Sequence, residues 1–148
     1  MRINYSDDED RPGQFALWQT NCARSLRGKA GQAALRTLET ALIALPAKRL
    51  IAWQLVDDAG DVCAVGAYAR HQGLDLSRFD PEDETDQVGV EAGMPRLVAW
   101  QLVELNDIVL NAIWGCDDDP KGRYRKMSPE ERYDRVLAWV RAQLTSQE

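Results

Sequence analysis

Apolar residues recur every three or four positions along most of this chain, a spacing that places them on one face of an α-helix. The pattern runs over residues 14–45 and ends before Pro46, which cannot continue a helix. It returns over residues 96–114, and a capping box formed by Ser128 and Glu131 opens a last amphipathic segment. The sequence therefore predicts a mainly α protein of five or six helices.

The length of the chain fits a single domain, because domains most often contain about 100 to 150 residues and this chain has 148. We predict one compact helical domain over residues 14–145, preceded by an acidic lead over residues 1–13. Hydrophobic residues make up 45 % of the chain, which is enough for a core. The predicted core residues are Trp18, Leu35, Leu38, Leu42, Trp53, Trp100, Val103, Leu137 and Val140.

One short segment departs from the helical pattern. Residues 50–56 form an apolar run that suits a strand or a buried helical turn equally well, and turn residues follow over 57–61. The sequence therefore allows one short β-hairpin near residues 50–65. The run over residues 49–56 is also nearly repeated over 96–103, but its flanks differ, so we favour coincidence over a true repeat.

The residues that usually carry catalysis or bind metals are few and scattered. Cys22, Cys63 and Cys116 lie more than 40 residues apart, and His71 is the only histidine. That spacing is typical neither of a disulfide framework nor of a zinc site, so buried, reduced thiols are expected. A pair formed by Cys63 and His71 is disfavoured, because eight helical residues would separate them by about 12 Å. We expect no catalytic residue, no metal and no cofactor.

Negative charge is concentrated in two places. The chain has a net charge of −6, and residues 74–93 alone carry seven carboxylates against the single cation Arg78. Such a surface can bind a protein by presenting carboxylates where nucleic-acid phosphates would otherwise sit. The candidate partner-binding residues of this acidic face are Asp7, Asp8, Glu9, Asp10, Glu82, Asp83, Glu84 and Asp86.

Positive charge is concentrated over residues 24–49, where six cations face only Glu39. The candidate residues for binding a partner or a phosphate are Arg24, Arg27, Lys29 and Arg36. The alternative is internal pairing, in which this basic segment faces the acidic residues 75–91 within the same fold. The sequence leaves both interpretations open.

Several short motifs, taken in order, resemble a family of small uncharacterised proteins encoded in phages and prophages. They are GKAGQ at residues 28–32, LPAKRLI at 45–51, DVCAVGA at 61–67, DPED at 80–83 and PEER at 129–132. The resemblance covers roughly residues 20–142. It implies a viral setting without implying a reaction, because that family has no established activity.

These observations favour a non-enzymatic binding protein. The resemblance implies a phage- or prophage-encoded protein, and the charge pattern suggests docking on a host or phage protein; inhibition of a host defence complex is one version. The alternative is a nucleic-acid-associated regulator that uses the basic segment 24–49. No apolar run reaches the ~20 residues needed to span a bilayer, and no secretory signal is evident, so a cytoplasmic location is expected.

Overall fold

The computed structural model describes residues 13–80, 84–107 and 127–145. Over these residues the chain is mainly helical and forms one compact domain, which confirms the predicted fold class. None of the described helices is long and apolar enough to cross a membrane. The described α-helices are α1 (Gln14–Arg27), α2 (Lys29–Ile43), α3 (Ala64–His71), α4 (Thr85–Glu91), α5 (Arg96–Asp107) and α6 (Pro129–Gln143), with a 3-10 helix at Leu76–Arg78.

Helix α3 lies at the centre of the domain, because every residue from Ala64 to Ala69 is buried. It packs against α2, α4 and α5. A helix that is covered on all sides needs small residues wherever another backbone comes close. Gly66 provides such a place, since a Cβ there would lie 2.5 Å from the carbonyl oxygen of Leu55. The irregular segment before α3 is thereby packed directly on the helix.

Helices α1 and α2 are joined by a single residue and meet in a tight corner. A Cβ at Gly31 would lie 1.8 Å from the carbonyl oxygen of Ser25, so only glycine fits there. The buried side chain of Gln32 donates to the carbonyl of Leu26 at 2.7 Å and accepts from the N–H of Thr145 at 2.9 Å. Gln32 therefore ties this corner to the residues that follow α6.

Helix α6 begins at the capping box that the sequence predicts. The Ser128 hydroxyl accepts a hydrogen bond from the N–H of Glu131 at 3.1 Å, which satisfies one of the free donors of the first turn. Further along the helix, the buried Tyr133 hydroxyl donates to the carbonyl of Leu42 at 3.0 Å. This bond fixes α6 against the end of α2.

The segment that allowed a hairpin is irregular instead. Among the described residues the only β-contact is one isolated antiparallel bridge, between Val56 and Val62. The predicted turn does form, since the carboxylate of Asp57 accepts from the N–H of Asp61 at 2.9 Å. One side of the pairing ends where α3 begins at Ala64, and the other side leaves the extended conformation at Trp53, whose φ is 67°.

The near-repeat in the sequence is not a structural repeat. Residues 52–55 of the first copy lie in the irregular segment, whereas residues 99–102 of the second copy lie within α5. The same four residues, Ala-Trp-Gln-Leu, therefore adopt two conformations in one chain. This outcome supports the interpretation as coincidence.

The predicted core is confirmed in part. Leu35, Leu38, Leu42 and Val140 are fully buried. The predicted residues that are only half-buried are Trp18, Trp100, Val103 and Leu137. The rings of Trp18 and Trp100 meet edge to face, with centroids 4.9 Å apart. The prediction for Trp53 is wrong, because this residue is 68 % exposed. Leucines at positions 50 and 55 fill the core beneath it.

Candidate functional site

A buried amide holds the irregular segment 50–63 in place. Asn106, near the end of α5, is only 2 % exposed. Its Oδ1 accepts a hydrogen bond from the N–H of Ala64 at 3.0 Å, and its Nδ2 donates to the carbonyl of Ile51 at 2.9 Å. Breaking such bonds would leave buried polar groups without partners, which is costly. Asn106 therefore fixes both ends of the segment to α5.

A buried guanidinium from α6 completes this anchoring. Arg132 donates from Nε to the carbonyl of Asn106 at 2.9 Å and from Nη1 to the carbonyl of Leu50 at 3.1 Å. Burial lowers the pKa of Arg132, while the negative charge of Asp107 acts in the opposite direction. Arginine remains protonated in proteins. A fixed positive charge therefore lies beneath the segment.

Trp53 is the exposed apex of this anchored segment. Its backbone N–H donates to Oδ1 of Asp107 at 2.9 Å, and the same oxygen accepts from Nδ2 of Asn106 at 3.0 Å. These bonds hold Trp53 in the left-handed region, which residues with a side chain seldom occupy and which costs about 1–3 kcal/mol. Strained residues persist where the surrounding structure fixes them, often at functional sites. The indole is thus presented to solvent from a backbone that these hydrogen bonds hold in place.

The carboxylate of Asp107, which bonds to this apex, is one of three acidic groups that interact electrostatically. Burial raises the pKa of Glu104, and the charges of Asp107 and Asp86 raise it further. Oε2 of Glu104 is buried and has no hydrogen-bond partner among the described residues. The charges of three acidic side chains therefore interact where α4 begins and α5 ends. We call Trp53 together with Asp86, Glu104 and Asp107 the Trp53 surface.

The small cavity beside the Trp53 surface is not a ligand pocket. Gln54, Thr85 and Asp107 are among the residues that line it, which places the start of α4 next to the anchored segment. Its volume is about 10 Å³, which is roughly the space of one water molecule. Any recognition at this place would therefore occur on the exterior, where the indole of Trp53 is presented.

The structure places only part of the predicted acidic face. Glu84 is exposed just before α4, and Asp86 is half-buried in its first turn, where a carboxylate suits the positive end of the helix dipole. Asp86 is the predicted residue that the structure brings into the Trp53 surface. The other members, Asp7, Asp8, Glu9, Asp10, Glu82 and Asp83, lie outside the described residues.

The predicted basic residues gather where α1 meets α2. Arg24, Arg27 and Lys29 are exposed at this corner, and we call them the basic corner; Arg36 is half-buried further along α2. The ion pairs found in the described ranges do not join this basic segment to residues 75–91. One of them, between Arg78 and Glu91 at 3.6 Å, lies within the acidic segment itself. Internal pairing of the two segments therefore has no support in this part of the chain.

Two of the three cysteines are buried as predicted, and the third lies outside the described residues. Cys22 and Cys63 are buried and free, whereas Cys116 lies outside the described residues. Sγ of Cys63 caps the start of α3 by accepting from the N–H of Gly66 at 3.3 Å, and burial raises the pKa of this thiol to about 12. His71 is exposed at the opposite end of the same helix. The two side chains therefore do not form a catalytic pair.

Metal-ligating side chains do not converge in the described part of the chain: no group of three or more His, Cys, Asp or Glu residues there is arranged to hold an ion.

Sequence reasoning missed Asn106 and Arg132 as the residues that anchor the site. A signal for each is present in the chain. Arg132 precedes Val136 and Val140 by four and eight positions, so it shares their buried face of α6. Asn106 interrupts the apolar stripe of α5 directly after Leu105. For the exposure of Trp53 we find no local signal.

Comparison of the chain with models of protein families, with curated proteins and with solved structures finds no match.

Proposed function

We propose that this chain is a non-enzymatic binding protein that docks on a basic surface of a partner protein through the Trp53 surface. The observation that carries the proposal is the exposed indole of Trp53, held on a strained backbone beside the carboxylate of Asp107. Tryptophan is enriched among the residues that dominate binding energy at interfaces. Folding alone would favour burial of this indole, so its exposure favours a role in binding.

The charges at this surface favour a particular kind of partner. Asp107 contacts the Trp53 backbone, and its charge and that of Asp86 both act on Glu104, so this group of carboxylates favours a basic protein over nucleic acid. A pocket that accepts an indole, rimmed by lysines or arginines, would complement it. The pre-formed backbone of Trp53 reduces the entropy lost on docking.

The setting of this function is part of the same proposal. The resemblance to small proteins of phages and prophages suggests that the partner is a host or phage protein in the cytoplasm. Inhibition of a host defence complex is one form that such docking takes. The high pKa of the buried Cys63 thiol disfavours this particular residue as a nucleophile.

A second candidate function rests on the basic corner. Arg24, Arg27 and Lys29 are exposed together and form no ion pair within the described ranges, so they are available to phosphates. This arrangement favours a nucleic-acid-associated regulator. Such binding would weaken steeply as salt is raised and would not depend on Trp53.

One capture experiment distinguishes the two candidates. Tagged wild-type protein, Trp53→Ala, Asp86→Lys and the control Leu17→Ala are each incubated with nuclease-treated lysate of the cells that naturally make the chain. Leu17 is a suitable control because it is 61 % exposed on α1. We expect one basic protein to be retained by wild type and by Leu17→Ala, and to be lost with the other two variants.

Two other results would contradict the proposal or favour the second candidate. Equal retention by Trp53→Ala and wild type would contradict docking through the Trp53 surface. A salt-sensitive gel shift with DNA or RNA that disappears in Arg27→Glu, together with loss of capture after nuclease treatment, would support the regulator instead.

A further inference from the structure

A cleft separate from the Trp53 surface opens between the end of α2, the turn near Gly60 and helix α3. Its volume is about 450 Å³, within the ~300–1,000 Å³ that is usual for small-molecule sites. The cleft is much larger than the cavity beside Asp107. The cleft is therefore large enough for a compact organic molecule.

The apolar part of the cleft exists because its lining residues are small. Five alanines line it, and larger side chains at these positions would fill the space. They are Ala41, Ala44, Ala47, Ala59 and Ala67. Leu45, Pro46 and Val62 add apolar surface beside them. We call this place the alanine cleft; its lining suits a compact hydrocarbon or aromatic body.

The polar part of the cleft is positively charged within a chain of net charge −6. Arg49 contacts Asp61 through Nη2 at 2.9 Å, and Arg70 donates from Nη1 to the carbonyl of Gly60 at 3.2 Å. Each guanidinium thus uses one nitrogen to hold the turn, and its other donors have no partner in the described part of the chain. His71 also lines the cleft and is exposed.

A nearby lysine offsets the negative charge that would otherwise disfavour an anion in the cleft. The carbonyls at the end of α2 would repel negative charge, as helix C-termini do. Lys48 donates from Nζ to the carbonyl of Leu45 at 2.8 Å and also to that of Ile43. Its charge offsets the negative end of α2 beside the cleft. Two guanidiniums then face one carboxylate, that of Asp61.

We propose that the alanine cleft binds a compact organic anion, whose carboxylate or phosphate monoester is held by Arg49 and Arg70 while its apolar body lies on the alanines. Guanidinium groups bind both kinds of anion through paired, charge-assisted hydrogen bonds. The site does not include any residue of the Trp53 surface, so a negative result for the proposed function would not contradict binding in the cleft.

The test is an NMR titration of the ¹⁵N-labelled protein with phenyl phosphate and, separately, with benzoate. We expect at least one of these anions to shift the side-chain resonances of Arg49, Arg70 and His71 in a saturable manner. Arg70→Gln should weaken that binding about tenfold or more, because a hydrogen bond to a charged group is lost. Arg96→Gln removes an exposed arginine outside the cleft and should bind as wild type does.

A second variant keeps the proposal testable if Arg70→Gln destabilises the turn. Ala47→Phe fills the cleft from an exposed position and leaves both arginines in place, so it should abolish binding while the protein stays folded. Binding by only one of the two anions identifies which class the site takes. The proposal is overturned if neither anion binds, if neutral benzamide binds as well as benzoate, or if inorganic phosphate alone binds as well as phenyl phosphate, which indicates an adventitious ion only.

Discussion

At the scale of single residues, backbone conformation explains the Trp53 surface better than side-chain chemistry does. A tryptophan in an apolar run would normally bury its indole, which removes a large area from water. Here the left-handed φ of residue 53 directs the chain so that Leu50 and Leu55 occupy the core while the indole stays outside. The carboxylate of Asp107 stabilises that conformation through the Trp53 N–H.

Two substitutions at position 53 test this conformation. Asparagine tolerates the left-handed region, whereas a β-branched residue does not. We expect Trp53→Val to be less stable than Trp53→Asn by about 1–2 kcal/mol in urea unfolding. Both variants remove the same exposed indole, so each is the control for the other. Equal free energies of unfolding would contradict a left-handed residue at this position.

Glu104 allows a prediction about pH. Its pKa is raised in the folded protein, so the folded state binds its proton more tightly than the unfolded chain does. The stability from this proton is complete below the ordinary pKa of 4.5 and is lost as pH rises through the higher folded value. Glu104→Gln should therefore be more stable than wild type at pH 7.

The expected gain for Glu104→Gln is less than about 1 kcal/mol, because the residue is half-exposed and water screens its charge. The gain should shrink as the pH falls through the raised pKa of folded Glu104 and should be gone below 4.5, where Glu104 is protonated in both the folded and the unfolded wild type. Urea unfolding of both proteins at each pH measures it. A gain that grows with acidification would disprove this account of Glu104.

At the scale of secondary-structure elements, local pattern predicts the helices and non-local contacts decide the rest. The capping box at Ser128 and the apolar period over α2 were sufficient to place those helices. The path of segment 50–63 was not predictable in this way. It depends on Arg132 and Asp107, which lie 82 residues from Leu50 and 54 residues from Trp53 respectively.

The corner between α1 and α2 gives a test with an internal control. Gly31→Ala would place a Cβ 1.8 Å from the carbonyl oxygen of Ser25, so the backbone must shift. We expect a loss of about 1–3 kcal/mol in the free energy of unfolding. Gly28→Ala meets an ordinary contact of 3.5 Å at a φ of −66° and should change stability by less than about 0.5 kcal/mol. A harmless Gly31→Ala would refute the tight corner.

The anchoring of segment 50–63 is tested on α5. Asn106→Ala leaves the N–H of Ala64 and the carbonyl of Ile51 without their partner, so we expect a loss of at least about 2 kcal/mol. Amide hydrogen exchange at Trp53 and Ala64 should also accelerate. Gln101→Ala is the control, because that side chain bonds to α1 instead. Unchanged exchange in Asn106→Ala would mean that other contacts fix the segment.

At the scale of the whole molecule, three features lie in separate places among the described residues. In the sequence they were visible only as charged residues and tryptophans. The Trp53 surface lies where α4 begins and α5 ends, the basic corner lies between α1 and α2, and the alanine cleft lies beside α3. Charge runs predicted that charged surfaces exist. They did not predict which carboxylates would accompany an exposed indole, because that depends on how the helices pack.

The central claim is that Trp53 touches a protein partner. The most direct test replaces Trp53, or as a control the exposed Leu17, with a photo-crosslinking aromatic amino acid and irradiates the protein in nuclease-treated lysate of its natural cells. We predict that position 53 crosslinks to one basic protein, that raised salt reduces the yield, and that position 17 does not crosslink to it. Crosslinking to the same proteins from both positions, or none from position 53, would contradict the claim.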